Sequence, residues 1–178
     1  MSPIFVISGT PASGKSSVAK ALMQRFAQGV HIAVDDLREM VVSGIAHPVP
    51  EWTAETARQF SLARGNAALI AGRYSSAGFA VVVDDVFSER DFGADYAVHF
   101  ADAQPHRVLL LPSLEVALRR NSERTHKDFH HETLTGVIRY LHAEYTVMDV
   151  RGWLVIDSSE LGVEETVNLI LERSGVNP

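Results

Sequence analysis

The chain has 178 residues, a length that suits one domain (residues 1–178) with a substantial core and is short for two. Hydrophobic residues make up 46% and charged residues 21%, and no apolar run approaches the roughly 20 residues needed to cross a bilayer. The net charge of −6 disfavours a protein that tracks long DNA or RNA, although a site for a strand end needs only a few arginines. Cysteine is absent, which excludes disulfides and thiol chemistry and fits the cytoplasm.

Five short apolar runs without polar alternation predict strands that are buried on both faces of a parallel sheet. They cover residues 4–8, 30–34, 79–84, 108–111 and 153–156. Helical patterns lie between them and after the last, at residues 15–26, 53–77, 114–124, 133–145 and 164–173. This alternation predicts an α/β fold with right-handed crossovers and helices on both faces of the sheet.

A complete phosphate-binding loop joins the first strand to the first helix. Its sequence, Gly-Thr-Pro-Ala-Ser-Gly-Lys-Ser, has glycines where backbone N–H groups must converge on an anion, and a lysine that can reach the β- and γ-phosphates. The serine hydroxyl that follows the lysine is a ligand for Mg²⁺. The predicted nucleotide-binding residues here are Gly9, Thr10, Pro11, Ala12, Ser13, Gly14, Lys15, Ser16 and Ser17.

Pairs of acids follow the second and third predicted strands, at the sheet edge where ligands of open α/β proteins bind. We interpret Asp35 as the general base for an attacking hydroxyl and Asp84, with Ser16, as a residue that orients Mg²⁺. Asp85 is placed on the acceptor side. The alternative for each of these acids is that it caps the helix that follows.

Arginines cluster at the end of the third helical pattern, residues 114–124. Arg120 and Arg124 are four residues apart and therefore share one helix face. A lid over residues 119–131 would bring them to the transferred phosphoryl group and exclude water. The alternative is a solvated helix end, where arginines also suit the dipole. His126, His130 and His131 are interpreted as surface residues.

The order of these motifs resembles the small P-loop kinases. Besides the loop, the resemblance rests on Val-Asp-Asp-Leu-Arg at residues 34–38, Val-Val-Val-Asp-Asp at 81–85 and Leu-Pro-Ser-Leu-Glu-Val-Ala-Leu-Arg-Arg-Asn-Ser-Glu-Arg at 111–124. The chain looks most like the kinase domain of phage-type 5′-hydroxyl polynucleotide kinases and, more loosely, chloramphenicol phosphotransferases. The resemblance implies a P-loop NTPase three-layer sandwich with five parallel strands in the order 2-3-1-4-5 and a short helical lid.

The same resemblance implies roles for individual residues. Asp35 would be the base, Arg38 would contact the acceptor, and Arg124 would be the lid arginine. Asp157 and Ser158 would lie close to the adenine of ATP. Residues 44–53, which include Trp52, match nothing in the family pattern.

Several functions remain open at this point. The first is a cytoplasmic, ATP- and Mg²⁺-dependent kinase whose acceptor is a hydroxyl of a small molecule such as an antibiotic, sugar, nucleoside or nucleotide-sugar. The second has the same chemistry on the 5′-hydroxyl of an oligonucleotide. A nucleotide-dependent switch is a third, but the Asn-Lys-x-Asp element of guanine-specific switches is absent. A protein that binds ATP without catalysis is the fourth. No membrane partner is expected, and the oligomeric state is open.

Overall fold

The computed structural model describes residues 1–100, 103–123 and 131–178. The strands in these residues are β1 (Ile4–Gly9), β2 (Gly29–Ala33), β3 (Ala80–Asp84), β4 (His106–Leu110) and β5 (Trp153–Ile156). The helices are α1 (Lys15–Gln24), α2 (Val34–Glu39), α3 (Ala54–Ser76), α4 (Glu89–Asp91), α5 (Leu114–Ser122), α6 (His131–Val147) and α7 (Val163–Ser174). A π-helical turn (Phe92–Tyr96) continues α4. In the described part of the chain, no helix is both long and apolar enough to span a membrane.

The strands form one parallel sheet in the order β2-β3-β1-β4-β5, which confirms the predicted fold. The register aligns the carboxyl ends of its first three strands. Ile7 of β1 and Ala33 of β2 both lie opposite Asp84 of β3. The phosphate loop and the two acidic pairs therefore leave the sheet at the same edge.

The core consists of two layers, one on each face of the sheet. Phe5 and Ile7 face α1 and α7, and belong to a cluster with Leu22 and Ile170. Ile4 and Val6 face the other way, toward α3 and α6, because successive side chains of a strand alternate between faces. The three layers predicted from the sequence are thus present, and each large apolar side chain that is fully buried contributes roughly 1.5–3 kcal/mol.

Two local features differ from the sequence-based expectation. Val34, predicted as the last residue of the second strand, is the first residue of α2, although it is fully buried. The helix begins there because Asp35 and Asp36 in its first turn favour the positive end of the helix dipole. The second feature is α4 with its π-helical turn, whose few residues are too short for a periodic pattern.

Candidate active site

The phosphate loop has a backbone that only small residues can form. Gly14 has φ +96° and is the N-cap of α1, and Ala12 also has a positive φ of 65°. A Cβ atom at Gly9 would lie 2.5 Å from the carbonyl oxygen of Leu110 and 2.6 Å from Oγ of Ser13. The loop therefore passes so close to the end of β4 that a side chain at its first residue would displace it.

Several polar side chains of the loop are buried beside its backbone. The hydroxyl groups of Thr10 and Ser13 are buried, and neither has a hydrogen-bond partner among the residues that the structure describes. The Nζ of Lys15 donates to the carbonyl oxygens of Gly9 and Thr10, 3.0 Å from each. Buried hydroxyls without partners are costly, and a phosphate oxygen accepts hydrogen bonds from such groups at a helix N-terminus. These residues fit a nucleotide phosphate.

The remaining loop residues form its outer wall. Pro11, Ala12 and Ser16 are half-buried, whereas Ser17 is exposed on the first turn of α1. Ser16 lies near the end of β3, since its hydroxyl is one of the groups that lower the pKa of Asp84. The predicted partners for Mg²⁺, Ser16 and Asp84, are thus brought together.

Asp84 is an ionised carboxylate shielded from water. Only 9% of its side chain is exposed, and the Nε2–H of His31 donates to its Oδ2 atom over 2.6 Å. Burial alone would raise the pKa of Asp84, but the hydrogen bond from His31 and the charge of Lys15 together bring that pKa below its ordinary value. A negative charge beside the loop lysine fits a site for Mg²⁺ and a nucleotide.

Asp35 occupies a very different position on the neighbouring strand end. Its side chain is 66% exposed in the first turn of α2, and its Oδ1 atom lies 3.7 Å from Nη1 of Arg38. This carboxylate can therefore reach a soluble acceptor, as a general base must.

Arg38 lies beside this carboxylate but is mostly occupied by protein contacts. Its side chain is 6% exposed, its Nη2 donates to the carbonyl oxygen of Ala46 over 2.7 Å, and its guanidinium group covers the ring of Phe60 at 3.8 Å. Burial lowers the pKa of Arg38, while the neighbouring carboxylates of Asp35 and Asp85 oppose this effect. Its Nε is buried without a partner in the described residues. The predicted contact of Arg38 with an acceptor is therefore restricted to the guanidinium edge near Asp35.

The segment between α2 and α3, residues 41–53, is fastened by side chains of both helices. The Gln59 side chain donates to the carbonyl oxygen of Gly44 over 2.8 Å and accepts from the amide of Ala46 over 2.9 Å. Trp52 stacks on Phe60 with ring centroids 4.9 Å apart and remains half exposed. This segment adjoins Arg38, and so lies on the acceptor side of the site.

The structure does not support the predicted contact between Asp85 and an acceptor. Its side chain is 2% exposed and accepts hydrogen bonds from Arg64 Nε (2.7 Å), the Tyr96 hydroxyl (3.1 Å) and the amide of Val86 (2.7 Å). Burial raises the pKa of Asp85, although Arg64 counteracts this effect. Both oxygens are thus engaged inside the protein. Arg64 is the buried cation of this network.

The residues expected to lie near the adenine come together at the end of β5. The Nη2 of Arg120 donates to the carbonyl oxygen of Ser158 over 2.8 Å, so α5 is tied to the segment after β5. The Ser158 hydroxyl is buried without a partner among the described residues, and the exposed Asp157 accepts hydrogen bonds from Ser159. Arg124, together with His126 and His130, lies outside the described residues. The lid prediction for these residues stays a prediction.

Sequence reasoning missed His31 and the role of Arg64. The position of His31 follows from the strand register. Ala33 lies opposite Asp84, and His31, two residues before Ala33, points to the same face of the sheet as both. No signal in the sequence indicates the role of Arg64, since a single arginine on a long amphipathic helix does not show which carboxylate it meets.

A protein family described as "AAA domain" matches residues 4–147, and the chain belongs to that family. No curated protein matches the chain in sequence. Among solved structures, the tunicamycin resistance protein of Deinococcus radiodurans is similar with a TM-score of 0.71 and 18% identity, over 99% of this chain and 98% of that one. A gluconokinase from Sinorhizobium meliloti 1021 is similar with a TM-score of 0.64 and 22% identity, over 96% and 90%.

A third similar chain belongs to the Pnkp1/Rnl/Hen1 RNA repair complex. It has a TM-score of 0.58 and 17% identity, and the match covers 83% of this chain but 46% of that one. These similarities to solved structures concern the fold. They confirm the fold of the small P-loop kinases that the sequence motifs imply.

Proposed function

We propose that this member of the AAA domain family is an ATP-dependent phosphotransferase that moves the γ-phosphate to a hydroxyl group of a small molecule. One observation carries the proposal: the phosphate loop lies beside two carboxylates, one shielded from water and one exposed. The loop itself contains two buried hydroxyls that have no hydrogen-bond partner in the described residues. These carboxylates, Asp84 and Asp35, end neighbouring strands. A protein that only binds nucleotide has no need for the second, accessible carboxylate.

The donor half of the site consists of the phosphate loop and Asp84. ATP would supply the phosphoryl group, and Mg²⁺ would neutralise its negative charge. Lys15 would transfer its hydrogen bonds from the loop carbonyls of Gly9 and Thr10 to the phosphates. Ser16 and Asp84 would hold the metal, directly or through water. The hydroxyls of Thr10 and Ser13 would gain the partners that they lack among the described residues.

The acceptor half consists of Asp35 and its surroundings. Asp35 would accept the proton of the acceptor hydroxyl while that oxygen bonds to the γ-phosphorus and the bond from phosphorus to ADP breaks. Arg38, 3.7 Å away, would orient the Asp35 carboxylate. Arg120 and, by resemblance, Arg124 would stabilise the charge on the transferred group.

Two observations support a small acceptor. Segment 41–53 is fastened against α3 by Gln59 and is held beside Arg38 by the hydrogen bond from Arg38 to Ala46. In addition, the gluconokinase and the tunicamycin resistance protein each match this chain over nearly the whole length of both partners. The match to the RNA repair chain covers only 46% of that chain. Sugar-like and antibiotic hydroxyls are therefore the acceptors to test first.

A second candidate is the 5′-hydroxyl of an oligonucleotide, and the pairing of Asp35 with Arg38 favours it. An arginine beside the base is well placed to bind a phosphate adjacent to the reacting hydroxyl. However, one guanidinium edge of Arg38 is engaged by Ala46, and the group stacks on Phe60, which leaves little of it for a ligand.

The test measures ADP release with a panel of sugars, aminoglycoside and nucleoside antibiotics, nucleosides and 5′-hydroxyl oligonucleotides. We expect turnover with a small hydroxyl compound, and a 10²–10⁴-fold loss in kcat for Asp35→Asn with little change in ATP affinity. Asp36→Asn, an exposed acid in the same helical turn, is the matched control and should retain activity. Turnover only with oligonucleotides would favour the second candidate, and full activity of Asp35→Asn would refute the assignment of the base.

A further inference from the structure

His31 lies on β2 and takes no part in the site as the sequence motifs define it. Its register partner on β3 is Val82, two residues before Asp84. The side chains of His31 and Asp84 point to the face of the sheet that carries α1. Ile32, which follows His31, and Val83, which precedes Asp84, point to the opposite face and belong to the other core layer. A long side chain can span this diagonal between neighbouring strands. The contact between His31 and Asp84 is therefore set by the sheet register.

The contact is strong and shielded. The Nε2 of His31 lies 2.6 Å from Oδ2 of Asp84, with 16% and 9% of the two side chains exposed. A carboxylate only accepts hydrogen bonds, so the imidazole carries its proton on Nε2. Because water has little access, this hydrogen bond holds the carboxylate more firmly than an exposed one would.

The geometry points to His31 as a positioning residue that fixes the Asp84 carboxylate for a divalent cation, and this inference rests on the proposed function. With Oδ2 held by His31, the rotation of the carboxylate is restricted, and Lys15 and Ser16 both interact with the same carboxylate. Hydrogen-bond partners of metal-binding carboxylates orient them in this way, and their loss typically weakens metal binding or activity by ~10–100-fold.

Two variants of similar length separate positioning from packing. His31→Gln retains an N–H donor near the position of Nε2, whereas His31→Met fills similar space without a donor. The assay is the binding of Mn²⁺, followed by electron paramagnetic resonance, to protein saturated with a non-hydrolysable ATP analogue. No acceptor is present, so the measurement does not depend on turnover. Circular dichroism verifies that each variant is folded.

We expect His31→Met to bind Mn²⁺ ~10–100-fold more weakly than wild type, and His31→Gln to remain within about threefold. In an Asp84→Ala background, His31→Met should have no further effect, because His31 acts through that carboxylate. The inference would be overturned if His31→Met bound Mn²⁺ as tightly as wild type. It would also be overturned if His31→Met weakened Mn²⁺ binding further in the Asp84→Ala background. If His31→Met does not fold, weak Mn²⁺ binding by folded His31→Gln would overturn it equally.

The outcomes also separate this inference from the proposed function. Normal binding of metal and nucleotide without phosphorylation of any acceptor would refute the phosphotransferase and leave the role of His31 intact. Turnover with an acceptor of the panel, together with unchanged Mn²⁺ binding by His31→Met, would support the phosphotransferase and refute the role of His31. A wild-type protein that binds no metal–nucleotide complex would refute both.

Discussion

Replacing Arg64 by methionine removes the cation from the buried network behind the site. Arg64 is 5% exposed, and it donates to Asp85 over 2.7 Å, to the carbonyl oxygen of Val86 over 2.9 Å and to Asp95 over 3.1 Å. Methionine fills much of the same volume, so the main loss is the charge that compensates Asp85. Removing one partner of a buried ion pair typically costs ~3–5 kcal/mol. For a chain of this length, that corresponds to a fall of about 6–20 °C in Tm.

The pH dependence of this deficit tests its cause. Burial already raises the pKa of Asp85, and the loss of Arg64 should raise it further. A carboxyl with a raised pKa in the folded state binds a proton on folding, so stability falls as pH rises through that pKa. The deficit of the variant should therefore be greatest near neutral pH and should shrink as pH falls toward the unfolded-state pKa of Asp85.

The assay is thermal unfolding followed by circular dichroism at pH 7.5 and pH 5. Arg58→Met, on the same helix but exposed, is the matched control and should leave Tm unchanged. Adding Asp85→Asn to Arg64→Met should recover part of the stability, because the uncompensated charge is removed. A deficit of less than ~1 kcal/mol, or one of equal size at both pH values, would refute the view that Asp85 depends on Arg64 for its charge.

Three further predictions concern the phosphate loop and the long helix. Lys15→Ala should weaken ATP binding or phosphoryl transfer at least tenfold, as measured by titration calorimetry and ADP release, and wild-type behaviour would refute the role of the loop. Gly9→Ala should abolish nucleotide binding in the same titration, because its Cβ would lie 2.5 Å from the carbonyl oxygen of Leu110. Gly72→Ala, on α3, meets no atom within 4 Å and should stabilise the fold by ~0.5–1 kcal/mol in thermal unfolding; a lower Tm would contradict this.

The position of the phosphate loop between β1 and α1 could be predicted because the loop consists of contiguous residues. Phosphate binding needs a short loop, a lysine and a helix N-terminus in a fixed order, and these are all encoded between Gly9 and Ser16. Predicting that segment does not require knowledge of the strand order or the register of the sheet. The acceptor side is different, since it depends on Arg38, Gln59 and segment 41–53, which meet only through tertiary packing.

Asp84, the last residue of β3, and Asp85, which follows it, show why adjacent residues with the same chemistry have different surroundings. Asp84 and Asp85 look interchangeable in the sequence, but alternation along the strand sends them to opposite faces of the sheet. Asp84 shares the α1 face with Val82 and therefore meets Lys15, whereas Asp85 turns toward α3 and meets Arg64. The phosphate loop leads directly into α1, since Gly14 is the N-cap of that helix. The preceding strand pattern thus decides which acid can serve a nucleotide, and the other must be neutralised within the core to be tolerated there.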